Sequence, residues 1–240
     1  MSGLNDLFYN VGSGTDDVQI RFNNLESFVV SHIQQSTAVI GCMNWLTSKK
    51  IINALADLSG GVSIIIDKCS THESTPEYKT AFHSLKPLKF KIMNLDEQYV
   101  FGSHYELESM SPDTVNSDAV RVFGTTHKRY NTRVLMHHKF MMFCSLSDDG
   151  VITPTSVVTG SYNFTENGGY CRENLIHLTG DQYTSGYFGE WRGCFLLSEK
   201  IDNYKKDINP QYLKHKNRKK IIKEIAKEYN IIQDHDDPYF

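Results

Sequence analysis

The chain has 240 residues, of which 40% are hydrophobic and 22% are charged, and its formal net charge at pH 7 is −3. This length is enough for one sizeable buried core, and the composition is that of an ordinary globular protein. Because the net charge is slightly negative, no overall positive field points to a nucleic-acid partner. Any such binding must therefore rest on local clusters of charge.

The cysteines and the N-terminus indicate where the protein works. The 5 cysteines are odd in number and scattered, which favours reduced thiols over a disulfide framework. The first residues lack the basic start and apolar core of a signal peptide, and no apolar run approaches the ~20 residues that span a bilayer. We therefore expect a soluble, cytoplasmic protein without a membrane span.

The first third of the chain predicts alternating strands and helices. Residues 18–22 alternate like a short strand, and Asn23 or Asn24 is a candidate cap for the helix that follows. Residues 38–43 and 62–67 are apolar and predict two buried strands with an amphipathic helix between them. This βαβ order predicts that the two strands are parallel and joined by a right-handed crossover.

The remaining elements surround a second group of strands. Residues 119–123 predict a strand, residues 124–133 a basic loop, and residues 145–150 a hairpin turn. Residues 182–197 place aromatic side chains at helical spacing, which is more typical of a core-packing helix than of a ligand platform.

The C-terminal segment is basic and amphipathic. The stretch 214–227 holds seven lysines and arginines beside an isoleucine stripe, and an acidic tail follows it. We expect a catalytic domain at residues 1–200, with the helix and tail of residues 201–240 packed on the same domain. The helix could grip backbone phosphates or dimerise, but an ordinary surface helix is the more common case.

The chain is organised around the run Val134–Cys144, in which the triplet His137, His138 and Lys139 interrupts apolar residues. The run predicts a strand buried on both faces, and burial of an imidazole and an ammonium there costs several kcal/mol unless partners compensate. On a strand, His137 and Lys139 point to the same face. They are either the nucleophile and cation of a site, or a satisfied core histidine beside a lysine that reaches solvent.

Downstream residues favour the site. A strand at 155–160 runs into Gly160, Ser161 and Asn163, and Glu173 opens a further strand. The order H-x-K, G-S-x-N and a strand-opening acidic residue resembles the phospholipase D superfamily. The resemblance implies an α/β fold with a mixed central sheet flanked by helices, and one H-x-K half-site per chain.

The resemblance also implies roles for these residues. His137 would attack phosphorus and form a phosphohistidine, while Lys139 and Asn163 would hold the non-bridging oxygens. Ser161 would shape the pocket or hydrogen-bond a phosphate, and Glu173 would orient an imidazole. The expected reaction uses neither a metal nor a cofactor.

The chain carries one copy of the motif, whereas the family chemistry needs a second histidine to protonate the leaving oxygen. We therefore expect a two-fold homodimer in which the His137 side chains of two copies share one composite site. Because one imidazole begins neutral and the other protonated, the dependence of rate on pH should be bell-shaped.

The substrate is less well determined. Single-motif relatives by resemblance are mostly nucleases, and Lys128, Arg129 and Arg133 lie just before the His137 strand. We expect cleavage of nucleic acid, with DNA favoured over RNA, and these three cations as substrate-binding residues. Alternatively, the three cations lie in an ordinary solvent-exposed loop and bind no substrate.

Two positions depart from the family pattern. Cys144 stands where the motif has Asp, and Cys171 stands where an Asn is common. These departures keep open a degenerate nucleic-acid-binding scaffold, and the basic C-terminal helix keeps open a phosphodiesterase directed at lipids.

Overall fold

The computed structural model describes residue 4 and residues 13–68, 76–89, 110–111, 118–126, 128–129 and 132–228. The strands are β1 (Ser13–Gly14), β2 (Val18–Arg21), β3 (Ala38–Met43), β4 (Gly61–Asp67), β5 (Val120–Phe123), β6 (Lys128–Arg129), β7 (Thr132–Arg133), β8 (Lys139–Leu146), β9 (Ile152–Gly160), β10 (Leu175–Thr179) and β11 (Glu199–Lys200). The helices are α1 (Leu25–Gln34), α2 (Lys49–Ala56), α3 (Pro76–Ser84), α4 (Asp181–Leu197) and α5 (His215–Glu228).

Nine strands form one mixed sheet in the order β1-β2-β10-β9-β8-β3-β4-β5-β11. β3, β4 and β5 are mutually parallel, whereas β8, β9, β10 and β2 continue the sheet through antiparallel pairs. The α/β class with a mixed central sheet flanked by helices is therefore confirmed. The parallel pairing of β3 with β4 confirms the predicted βαβ unit.

Two apolar layers cover the sheet. One face packs on α1, α2 and α3, and its buried residues include Val29, Leu55 and Phe82. The other face packs on α4 through Trp191 and Phe195, which are fully buried. Trp191 also donates its indole N–H to the carbonyl of Ser63 in β4 at 3.1 Å, which fixes α4 on the sheet. The aromatic stripe of α4 is thus a core face, as predicted.

The start of α1 differs from its prediction, whereas the start of α2 has an ordinary side-chain cap. Ser48 caps α2, since its hydroxyl accepts the N–H of Ile51 at 3.2 Å. Asn24 precedes α1 in the left-handed region with φ 56°, and its side chain makes no capping hydrogen bond. The predicted side-chain cap on α1 is therefore wrong. Asn supports this turn through its tolerance of positive φ.

The region around the central motif also differs from the prediction. β8 begins at Lys139, so His137 and His138 lie in the extended segment just before the strand rather than inside it. Exposed Val134 and Leu135 explain the difference, because their side chains are not part of the core. The predicted loop at residues 124–133 contains the small antiparallel hairpin of β6 and β7.

A buried ion network secures the chain after α4. Lys68 at the end of β4 is fully buried, and its ammonium lies 2.7 Å from Glu199 and 3.1 Å from Asp207. α5 follows and buries Ile222, Ile225 and Ala226 against Met110. The predicted acidic tail lies outside the described residues. Among the described helices, none is long and apolar enough to cross a membrane.

Candidate active site

The sheet brings the two halves of the sequence motif to one edge. Phe140 in β8 pairs with Thr159 in β9, and Leu175 in β10 pairs with Gly160 in β9. The start of β8, the end of β9 and the start of β10 therefore lie side by side. Since β3, β4 and β5 run antiparallel to β8, their carboxyl ends reach the same edge.

His137 and Lys139 form one half of the candidate site. The Lys139 ammonium lies 3.2 Å from Nε2 and 3.4 Å from Nδ1 of His137, and 3.3 Å from the His137 carbonyl oxygen. The His137 side chain is exposed and Lys139 is half-buried. A ring nitrogen with an open approach therefore stands directly beside a fixed cation, as the same-face prediction requires.

The charge on Lys139 is tuned by two opposing effects. Burial lowers the pKa of its ammonium, and the negative charge of Glu173 raises it, with burial the larger effect. Burial of a cation strengthens its attraction for an anionic ligand, because less water screens the charge. The Lys139 ammonium can therefore attract an anion that approaches His137.

Ser161 and Glu173 form the other half. The Ser161 hydroxyl donates to the Glu173 carboxylate and accepts the Asn174 N–H at 3.0 Å. Gly160 permits this close approach of β9 and β10: its φ is 151°, and a Cβ there would overlap the Asn174 carbonyl oxygen. The G-S pair therefore holds an acidic side chain in place. The described partner of Glu173 is Ser161 rather than an imidazole, so its predicted orienting role stays a prediction.

Tyr162 and Asn163 directly follow Ser161 in the chain. Tyr162 is 1% exposed, and burial raises the pKa of its phenol, with smaller contributions from Glu26 and Glu173. Within the described part of the chain, the buried Tyr162 hydroxyl and the Asn163 Oδ1 have no hydrogen-bond partner. Which atom of an amide is oxygen is an assignment, so the Asn163 amide can present either a donor or an acceptor. Asn163 thus remains predicted to meet a phosphate oxygen.

Asp67 is a site residue that the sequence reasoning missed. It is the last residue of β4, is fully buried, and accepts the backbone N–H of Met136 on its Oδ1 at 2.8 Å. It therefore fixes the chain one residue before His137. The available signal was a carboxylate ending an apolar strand, because a buried carboxylate must find donors.

The predicted substrate-binding cations are partly described. The backbone of Lys128, Arg129 and Arg133 forms the β6–β7 hairpin that leads to His137, and their side chains lie outside the described residues. A pocket of about 510 Å³ opens at the N-terminal ends of α1 and α2, with Glu26, Lys50 and Tyr170 in its wall. It lies at the same sheet edge as His137, and Glu26 contributes to the surroundings of both the pocket and Tyr162.

The two departures from the motif have different surroundings. Cys144 is 1% exposed within the apolar layer that faces α4, and burial raises the pKa of its thiol to about 12. It follows Lys139 by five residues, which is roughly 17 Å along a strand. Cys171 lies in the segment before Glu173 and receives a hydrogen bond from the Asn167 amide at 3.6 Å.

His138 occupies the face opposite His137, as the alternation predicts. Its Nε2 lies 2.7 Å from the Glu190 carboxylate on α4. Among the described residues, the groups that could share a metal ion are His138, Glu190 and Cys194, whose ligand atoms lie within 4.8 Å of one another. These three groups lie on the α4 side of the sheet, and His138 directly follows His137 in the chain.

Comparison with known proteins gives one relative in sequence. No family model matches the chain. A protein of Acanthamoeba polyphaga mimivirus that is described as uncharacterized is 28% identical over 225 residues, covering 85% of this chain and 76% of that protein.

Solved structures similar to this chain include Nuc from Salmonella typhimurium, described as a phospholipase D family member. It is 15% identical, covers 76% of this chain and 95% of its own, and superposes with a TM-score of 0.44. NucT from Helicobacter pylori is 15% identical, covers 76% of this chain and 98% of its own, and gives a TM-score of 0.49.

Proposed function

We propose that the chain is a metal-independent phosphodiesterase that cleaves nucleic acid, with DNA favoured over RNA, through a phosphohistidine on His137. The observation that carries the proposal is the 3.2 Å contact between the Lys139 ammonium and the His137 Nε2. It combines a nucleophile with the positive charge that an anionic phosphodiester requires.

The first step is attack by a neutral His137 ring nitrogen on phosphorus. A nitrogen–phosphorus bond forms as the bond from phosphorus to the leaving oxygen breaks. Lys139 stabilises the charge that spreads over the equatorial oxygens, together with the Asn163 amide. The Ser161 hydroxyl holds Glu173 in place, since it donates to the Glu173 carboxylate and accepts the Asn174 N–H.

The second step is attack of water on the phosphohistidine. A protonated imidazole gives its proton to the leaving oxygen in the first step and takes a proton from water in the second. We assign this role to His137 of a second copy of the chain, because the sequence carries a single H-x-K motif. A two-fold homodimer then forms one composite site, and Glu173 orients one of its imidazoles.

The substrate proposal rests on the surroundings of the site. The β6–β7 hairpin carries Lys128, Arg129 and Arg133 directly before His137 in the chain, where backbone phosphates of a nucleic acid would approach. Such contacts make binding weaken as salt concentration rises. The pocket beside Tyr170 opens at the same sheet edge and has room for a base or sugar of the bound nucleic acid.

The testing experiment is cleavage of single- and double-stranded DNA and RNA in excess EDTA by the wild-type chain and by His137→Asn. We expect cleavage in EDTA and a loss of at least about 10³-fold in the variant, since a nucleophile or proton carrier contributes on this scale. His83→Asn is the matched control, because His83 is an exposed histidine at the end of α3. It should cleave at the wild-type rate.

Two results would contradict the proposal. One is cleavage that survives in His137→Asn, and the other is cleavage that Mg²⁺ restores to an EDTA-inactivated wild-type chain. Turnover of phospholipid vesicles without cleavage of any nucleic acid would keep the phosphodiester chemistry and replace the substrate. Binding of nucleic acid without turnover at any pH would indicate a scaffold that has lost its activity.

A further inference from the structure

We propose that His138, Glu190 and Cys194 form a structural zinc site that ties the segment carrying His137 to α4. The site lies on the face of the sheet opposite the proposed catalytic groups. It does not depend on the proposed function, because the argument uses only the ligand atoms and their positions. Its metal holds the fold and takes no part in the cleavage reaction.

Helix spacing and side-chain contacts bring the ligand atoms of His138, Glu190 and Cys194 together. Glu190 and Cys194 are one turn apart on α4, so their side chains lie on one face of that helix. The Cys194 Sγ lies 3.7 Å from the Glu190 Oε1, and the His138 Nε2 lies 2.7 Å from the same oxygen. All three ligand atoms lie within 4.8 Å of one another. Local spacing on α4 and a long-range contact from the segment before β8 thus bring the three ligand atoms to one point.

The ligand types agree with zinc. Zinc in proteins takes thiolate, imidazole and carboxylate ligands at about 2.0–2.3 Å in a tetrahedral arrangement, which puts neighbouring ligand atoms roughly 3.3–3.8 Å apart. The sulfur–oxygen separation of 3.7 Å already fits that arrangement. The nitrogen–oxygen pair must open by about half an ångström as the ion replaces the hydrogen bond. A thiolate disfavours Mg²⁺ and Ca²⁺, which prefer oxygen ligands.

Burial and access are also suitable. Cys194 is 4% exposed, whereas the side chains of His138 and Glu190 are 43% and 51% exposed. An ion can therefore enter from solvent and bind the buried thiolate of Cys194. Water or the second Glu190 oxygen would be its fourth ligand. Cys42 in β3 and Cys194 belong to the same buried apolar cluster, so the metal-binding sulfur is packed against the sheet.

The consequence concerns the segment before β8. His138 directly follows His137, and its carbonyl accepts the Asn44 N–H at 2.8 Å. With zinc bound, this residue is held on one side by β3 and on the other by α4. The metal would therefore restrain the backbone of the neighbouring nucleophile without contacting substrate.

The experiment uses the full chain, freed of metal and then titrated with Zn²⁺ or with Co²⁺ as a spectroscopic probe. We expect one equivalent of Zn²⁺ to bind and to raise the melting temperature, since an ion that binds only the folded state stabilises it. Co²⁺ should give a thiolate-to-cobalt charge-transfer absorption. Cys194→Ser should abolish this absorption and Glu190→Gln should weaken Zn²⁺ binding at least about 10-fold, as loss of a ligand does.

The controls separate this site from others. Cys171→Ser changes a cysteine elsewhere, and His137→Asn changes the neighbouring histidine, so both should bind Zn²⁺ and Co²⁺ like the wild type. Because Glu190 is half-exposed on α4, Glu190→Gln should fold even if Cys194→Ser does not. No Zn²⁺ binding, binding unchanged in Glu190→Gln, or binding lost in His137→Asn would each overturn the proposal. A disulfide between Cys42 and Cys194 in the purified chain would overturn it as well.

Discussion

The two faces at the start of β8 use adjacent residues for opposite purposes. On one face His137 is exposed beside Lys139, and the groups around it leave an approach open. On the other face His138 is tied to Glu190 of α4, and Phe140, Met142 and Cys144 continue into a closed apolar layer. Both histidines are exposed, so the comparison teaches that α4 decides the partner of a histidine here: His138 meets the Glu190 carboxylate of α4, whereas His137 meets the Lys139 ammonium.

The largest effect on the open face is expected from Lys139→Met. This change keeps the length of the side chain and removes the positive charge beside His137, so the transition state loses its electrostatic stabilisation. We expect kcat to fall about 10²–10³-fold, with a smaller change in KM. The measurement is steady-state cleavage of a defined oligonucleotide.

Lys86→Met is the matched control for this change. Lys86 is exposed and hydrogen-bonds to the Ser59 carbonyl at the other edge of the sheet, so its loss should leave kcat unchanged. Equal rates for Lys139→Met and the wild type would show that the ammonium next to His137 takes no part in the reaction.

On the closed face, Cys144→Asp restores the acidic residue of the family motif and should lower the stability of the folded chain. The position is 1% exposed among apolar side chains, so a carboxylate there is buried without a partner. We expect the free energy of unfolding to fall by on the order of 3 kcal/mol, with no gain in cleavage rate. Urea denaturation measures the first quantity.

Ser145→Asp provides the comparison, because Ser145 is the next residue and is exposed. Its carboxylate should reach water and cost less than about 0.5 kcal/mol. If Cys144→Asp were as stable as the wild type and cleaved faster, the interpretation of this position as a closed apolar site would be wrong.

The open face contains a pair that should act as one unit. The Ser161 hydroxyl donates to the Glu173 carboxylate, so Ser161→Ala removes this hydrogen bond and Glu173→Gln removes the charge that strengthens it. We expect the double variant to lose less activity than the two single losses predict, with a coupling of about 1–3 kcal/mol in kcat/KM. Strict additivity of the two effects would indicate that the residues act separately.

The smallest expected effect is on the pH dependence of stability, and it comes from His177 in β10 rather than from the start of β8. Burial lowers the pKa of His177 from 6.5 to about 4, with smaller contributions from His32 and Arg21. The unfolded chain therefore binds a proton that the folded chain rejects. This contribution is complete above pH 6.5 and is lost as pH falls towards 4.

His177→Leu should remove this part of the acid sensitivity. The ring nitrogens of His177 have no hydrogen-bond partner among the described residues, so the change breaks no bond there. We expect the loss of unfolding free energy between pH 7 and pH 5 to be smaller in the variant by on the order of 1–2 kcal/mol. An identical pH dependence in both chains would contradict the assignment.

Much of this arrangement could be predicted from the sequence because it is local. The apolar runs at β3 and β4 and the amphipathic spacing of α2 specify the βαβ unit, and Ser48 caps the helix as its residue type suggests. The pairing of His137 with Lys139 follows from alternation, although the strand begins at Lys139 rather than at Val134 as expected.

The rest depends on contacts between residues far apart in the chain, which periodicity does not carry. Asp67 reaches Met136 because β4 and the segment before β8 end at one edge, and nothing near either residue in the sequence shows that. His138 meets Glu190 and Cys194 only once α4 crosses the sheet. Asn24 was misjudged because its residue type suits both a side-chain cap and a left-handed turn.

The most direct test of the account is a rapid alkaline quench of the reaction with a short oligonucleotide, followed by peptide mass mapping. The account predicts a phosphoryl-linked adduct on the peptide that contains His137, located on that residue and absent from His137→Asn. Cleavage that proceeds with the adduct on another residue, or without any adduct in a time course that resolves a single turnover, would contradict it.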